Sequence, residues 1–222
     1  MPAKIIFITG TDTGVGKTVL TACLLEYLRQ TGVDALAMKP FCSGSRGDVE
    51  LLQSIQEARL PDDVINPFYF PDAVAPLLAA RNARRKIALA DVLRKIRDVA
   101  RQCDCLLIEG SGGLLVPLGE GYTVADLIGR LRCEVFVAAR NRLGTINHTL
   151  LTVEALRRRT RQPIKVVLMD QPVPDLSAQT NKQILAEGLA PIEVVRFPFL
   201  GNDASHPAGI KKAAKKIQSL CL

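Results

Sequence analysis

At 222 residues, 48% of them apolar and only 5% aromatic, the chain is expected to bury a sizeable core of Ile, Leu, Val and Ala. No apolar run approaches the roughly 20 residues of a membrane span, and the chain runs straight into an apolar strand without a charged leader, so a cytoplasmic protein is expected. The net charge of +7 comes mostly from Arg81 to Lys86, Arg157 to Arg161 and Lys211 to Lys216. Two of these close or border helix-like stretches, and the clusters lack the interleaved aromatics of a nucleic-acid binder, so no nucleic-acid partner is expected.

Residues 4 to 18 read Lys-Ile-Ile-Phe-Ile-Thr-Gly-Thr-Asp-Thr-Gly-Val-Gly-Lys-Thr. An apolar run, Ile5–Ile8, enters a turn built from Gly10, Gly14 and Gly16, and Lys17-Thr18 opens a helix-compatible stretch. Such a loop turns backbone N–H groups and a helix N-terminus toward a polyphosphate, with Lys17 reaching the outer phosphates and the Thr18 hydroxyl available to Mg²⁺. Five residues separate Gly10 from Gly16-Lys17, one more than the usual four.

Further β-like runs follow at Ala35–Met38, Cys105–Ile108, Val135–Ala138, Ile164–Met169 and Ile192–Phe197. Helix-like segments separate them near Thr18–Gln30, Asp48–Glu57, Leu89–Val99, Val124–Leu131, Thr145–Arg158, Ser177–Glu187 and Ala208–Leu220. Strand and helix alternation with nearly unbroken apolar strands predicts one α/β domain over residues 1–222, its mostly parallel sheet covered by helices on both faces. Ligands should then gather at the carboxyl ends of the strands. Residues 61 to 76, with Pro61, Pro67, Pro71 and Pro76 around Phe68-Tyr69-Phe70, are expected to form a long loop over that end.

The strand ends carry the chemistry. The second ends at Lys39-Pro40, followed by Ser43 and then Asp48, which is expected to cap the next helix or to ligate a metal. The third ends at Glu109, where a buried carboxylate calls for a cation nearby, and the glycines of Gly110-Ser111-Gly112-Gly113 allow close approach to the backbone. His148, after the fourth strand, has no visible second ligand and is expected to pack or hydrogen-bond. The six cysteines show no metal spacing and are expected to be reduced thiols, with Cys42 alone near a site.

Taken together, Gly10 to Thr18, Lys39-Pro-Phe-Cys-Ser-Gly44, Asp48, Glu109-Gly-Ser-Gly-Gly113 and Leu143-Gly-Thr-Ile-Asn-His148 resemble the dethiobiotin synthetases, over most of the chain and in the family's order. The resemblance implies a P-loop NTPase-type fold and a homodimer. It also implies ATP- and Mg²⁺-dependent carboxylation of 7,8-diaminononanoate by CO₂ or bicarbonate, closing a cyclic urea. By position it implies Mg²⁺ ligands in Thr18, Asp48 and Glu109, catalytic ammonium groups in Lys17 and Lys39, and substrate contacts from Ser43, Gly113 and Asn147. Nucleotide contacts are implied for Thr13, Gly14, Val15, Gly16, Val19, Gly110, Ser111 and Gly112, and at the base end for Met169, Asp170, Pro198, Phe199 and Leu200. Where the family usually reads adenine with an Asn, this chain has Met169-Asp170, and a carboxylate offers acceptors only. The alternative is a partitioning-type switch ATPase or a non-catalytic nucleotide-binding relative. The partitioning class usually carries an extra Lys early in the loop, where this chain has Thr11, Asp12 and Thr13.

Overall fold

The computed structural model describes residues 3–201, 204, 206–215 and 217. Its main sheet has six strands: β1 (Lys4–Gly10), β2 (Ala35–Met38), β5 (Cys105–Glu109), β8 (Glu134–Arg140), β9 (Ile164–Met169) and β10 (Glu193–Phe197). They run parallel in the order β10-β9-β8-β1-β5-β2. Crossovers that first leave β1 on one side and later on the other open a crevice at its carboxyl end, where the glycine loop begins.

Helices cover both faces, as the unbroken apolar strands require. Along β1, Ile6 and Ile8 pack into the layer formed with α1 (Lys17–Gln30), α2 (Gly47–Ile55) and α9 (Pro207–Ala214). Phe7 packs into the opposite layer with α5 (Leu89–Ala100), α6 (Val124–Leu131), α7 (Thr145–Arg157) and α8 (Asn181–Leu189). The α6 start is fixed by a capping box. Thr123 Oγ1 accepts from Asp126 N, and the Asp126 carboxylate accepts from Thr123 N at 2.9 Å.

The sheet's register brings the key side chains together. Met38 pairs with Ile108, so Lys39 and Glu109, one residue further on each strand line, emerge side by side. At the outer edge, the fully buried Gln56 takes the place of a missing strand. Its Oε1 accepts from Ala37 N at 3.0 Å and its Nε2 donates to Ala37 O at 3.3 Å.

Residues 61–76 depart from the expected loop. They hold α3 (Asp62–Ile65) and β4 (Phe68–Phe70), and α4 (Pro76–Asn82) begins at their end. β4 pairs in parallel with β3 (Phe41–Ser43), and the Phe41 and Phe68 rings stack at 4.9 Å. The prolines are tolerated because Pro61 precedes α3 and Pro76 opens α4, where no N–H is needed. Two other expectations also shift. Arg46, not Asp48, occupies the cap of α2, and Asp48 lies in its first turn with a carboxylate directed elsewhere. The helix expected over Ser177–Glu187 is a 3₁₀ turn, Leu176–Gln179, followed after Thr180 by α8. A short antiparallel pair, β6 (Pro117–Gly119) with β7 (Tyr122–Thr123), completes the elements. The end of the helix expected over Ala208–Leu220, and Cys221, lie outside the described residues.

Candidate active site

Gly14 and Gly16 adopt positive φ of 69° and 99°, a conformation that side chains resist, and Gly16 is the residue from which α1 starts. No side chain caps α1, so its first amides face the loop. A methyl group on Gly16 would also stand 3.0 Å from Met169 Cε. Lys17, 6% exposed, folds over the loop and donates to Asp12 O at 2.8 Å. Burial, reinforced by the neighbouring charge of Lys39 against the pull of Glu109, lowers its pKa to about 8. From the end of β8, Arg140 donates twice to Gly14 O, at 3.1 and 2.9 Å. Nothing in the sequence pattern marked this arginine, which sits in a run legible only as a strand end.

Behind the loop lies a compact charged group. The Glu109 side chain is fully buried, and its Oε1 accepts from Thr18 Oγ1 at 2.8 Å and from Lys39 Nζ at 2.6 Å. Lys39 also pairs with Asp48. Burial alone would lower the Lys39 pKa, but Glu109 and Asp48 outweigh it and raise it well above the ordinary value. Lys17 and Lys39 thus converge on one electrostatic neighbourhood, each sensing Glu109 and Asp48. Two buried oxygens here, Glu109 Oε2 and Ser43 Oγ, find no hydrogen-bond partner among the described residues. Gly113 lies against the glycine loop, where an added Cβ would come 3.3 Å from Thr11 O. Gly110 and Gly112 flank Ser111, which donates its hydroxyl to Phe41 O.

On the other side of the loop, a cleft of about 160 Å³ opens between Gly14, Val15, Gly16 and Val19 and the ends of β9 and β10. Met169, Asp170, Pro198, Phe199 and Leu200 form its far wall. A wider cleft of about 980 Å³, running from Thr18 and Asp48 to His206, shares Val19 and Phe199 with it, so Thr18 and Asp48 adjoin the base-side residues along one groove. Asp170 does not stand free in this wall. Arg196 donates to its Oδ1 at 3.1 Å and to its Oδ2 at 2.9 Å, and Asn141 Nδ2 donates to Oδ1 at 2.7 Å. Asn147 and His148 are exposed in the first turn of α7. His148 borders a small cavity of about 20 Å³ with Thr11, Asp12, Arg140 and Arg142.

The model of an AAA domain family matches residues 4–197. Among solved structures, a ParA family ATPase from Chlorobium tepidum aligns with a TM-score of 0.61, covering 99% of both chains at 13% identity. The pNOB8 ParA bound to nonspecific DNA aligns at 0.58, covering 98% of both chains at 14% identity. Likeness at such identity concerns the fold alone. Sequence relatives are much nearer. The ATP-dependent dethiobiotin synthetase BioD of Bacillus licheniformis is 38% identical over 188 residues, covering 82% of this chain and 80% of that one. The synthetase of the same name from Anaeromyxobacter sp. strain Fw109-5 is 45% identical over 69% of this chain and 71% of its own. That of Nitrosopumilus maritimus is 32% identical over 96% of both. With the phosphate loop beside a linked group of Thr18, Lys39, Asp48 and Glu109, these relatives assign the chain to the ATP-dependent dethiobiotin synthetase family.

Proposed function

We propose that the protein makes dethiobiotin from 7,8-diaminononanoate, CO₂ and ATP. One amine takes up CO₂ as a carbamate, ATP phosphorylates the carbamate, and the second amine attacks the resulting mixed anhydride, closing the cyclic urea and releasing phosphate. The observation that carries this reading is Lys39, a buried ammonium held beside Glu109, with a Ser43 hydroxyl on the following strand that has no hydrogen-bond partner among the described residues. A nucleotide switch has no use for a cation and a free hydroxyl at that strand end. Phosphoryl transfer to a carbamate requires fixed positive charge around spreading negative oxygens. In this reading Lys17 holds the outer phosphates, Lys39 the carbamate and transferring phosphoryl group, and Ser43 the diamine. The test is product formation from diamine, bicarbonate and ATP. Phosphate release should require the diamine, and release that ignores it would overturn the proposal.

Thr18, Asp48 and Glu109 suit Mg²⁺. They offer oxygen donors only, and the buried Glu109 Oε2 has no protein partner among the described residues. Among those residues, no three His, Cys, Asp or Glu side chains gather. That donor set fits an ion that keeps waters and phosphate oxygens in its shell better than one needing an all-protein cage. When bound, the ion supplies charge neutralisation at the phosphates. We also propose a cytoplasmic homodimer whose contact includes the start of α7 near Asn147, where Leu143 and Leu151 are 80% and 57% exposed.

The base end supports a tolerant enzyme. With Asp170 engaged by Arg196 and Asn141, and the Gln171 amide donating to Met169 O at 2.7 Å, the other lining side chains are apolar, and apolar slots discriminate by about 10- to 200-fold, far below a site with a dedicated hydrogen bond. GTP or CTP is expected to support diamine-dependent phosphate release with a kcat/KM within about 200-fold of that for ATP. Discrimination on the order of 10⁴ in the same steady-state comparison would reveal a base-reading contact and refute this expectation.

A further inference from the structure

Lys39 and Pro40 are the residues at which the chain leaves the six-stranded sheet for β3. β2 stops at Met38, so neither carbonyl continues the ladder to β5. Buried carbonyls in such a transit need donors. One side chain provides them for both. Asn66, 2% exposed, donates from Nδ2 to Lys39 O at 2.8 Å and to Pro40 O at 3.3 Å.

The neighbouring backbone completes the hold. Lys39 N donates to Ile65 O at 2.9 Å, and Phe68 N donates to Pro40 O at 3.0 Å. The next carbonyl, Phe41 O, is taken by Ser111. Asn66 Oδ1, by contrast, finds no partner among the described residues, so the amide stays in a buried place for its two N–H bonds while leaving an acceptor unsatisfied. An apolar side chain would avoid that cost if filling space were all the position required.

We propose that Asn66 is a positioning residue for the reaction, acting through Lys39. It fixes the Lys39–Pro40 peptide, from which the lysine side chain starts, and the Pro40–Phe41 peptide after it, and with them the reach of the ammonium to Glu109 Oε1. The catalytic part of this inference rests on the proposed role of Lys39, whereas the positional part does not. Asn66 touches neither groove and has no contact with the glycine loop among its hydrogen bonds.

Two measurements test it on the full chain. In Asn66→Ala, kcat should fall by about 10- to 100-fold, the effect of a displacement near 1 Å, while KM for ATP stays within about threefold. In a Lys39→Met background, the same change should add less than about twofold, because the group it aims is gone. Asn66→Asp, which sets acceptors against two carbonyls, should lose at least as much. If Asn66→Ala does not fold, Asn66→Gln, with the same amide on a longer arm, should show the same split between kcat and KM.

The second measurement needs no turnover. The labelling rate of each lysine by an acylating reagent, read by mass spectrometry, should rise several-fold at Lys39 in the Asn66 variant and stay unchanged at Lys17. A folded variant with wild-type kcat and wild-type Lys39 labelling overturns the proposal, as does a loss of equal size with and without Lys39. If the wild type consumes no diamine, the functional reading fails while the labelling still decides whether Asn66 fixes the lysine.

Discussion

Lys39→Met should lower kcat for diamine-dependent phosphate release by about 10²- to 10³-fold, with KM for ATP changed by only a few-fold. In the proposed mechanism the ammonium faces the negative charge that grows during transfer, not the position where the nucleotide is first bound. Its contribution therefore appears in kcat. The same variant should be markedly less stable. Removing one partner of a buried pair leaves the fully buried Glu109 carboxylate with the Thr18 hydroxyl as its hydrogen-bond donor among the described residues, and such deletions cost on the order of 3 kcal/mol. Asp48 is 43% exposed and can turn to water, so the loss should come from Glu109. Urea denaturation checks the second expectation and steady-state kinetics the first. Unchanged turnover in a folded variant would remove Lys39 from the mechanism.

Lys17→Met should show a different signature. Its ammonium hydrogen-bonds a loop carbonyl, Asp12 O, and in the proposed mechanism it meets the phosphates in both ground and transition states. Nucleotide affinity and turnover should fall together, with a loss in kcat/KM of about 10²- to 10³-fold. Stability should move the other way from Lys39→Met. Burial lowers the Lys17 pKa from 10.5 to about 8, so the charged form is disfavoured in the folded chain. The unfolded chain then binds more protons between about pH 8 and 10.5, and stability contributed by this group rises with pH across that window. Denaturation curves at several pH values, without nucleotide, should show that rise in the wild type and its loss in Lys17→Met.

These contrasts mark what the linear chain could reveal. The strand, glycine loop and helix of residues 4 to 18 are local, so their order is visible directly. Lys39 and Glu109 each end an apolar strand, and the parallel rule sends both to one edge, which makes their meeting foreseeable without a register. Val124–Leu131 was legible from its hydrophobic spacing. Residues 61–76 were misread because prolines argue against helix and strand interiors but not against their ends, and β4 exists only through its pairing with β3. Asn66, Arg140 and the Asp170–Arg196 pair were invisible for a related reason. Each acts on a partner at least 26 positions away, and no spacing rule connects them.

Gln56 has a consequence for how copies of this chain can meet. By bonding both polar groups of Ala37, it occupies the middle of the only free flank of β2. A strand from a neighbouring molecule would have to evict a fully buried amide before it could zip onto that flank. Assembly by shared sheets is closed on this side, which confines any strand-to-strand contact through the six-stranded sheet to its opposite edge, β10.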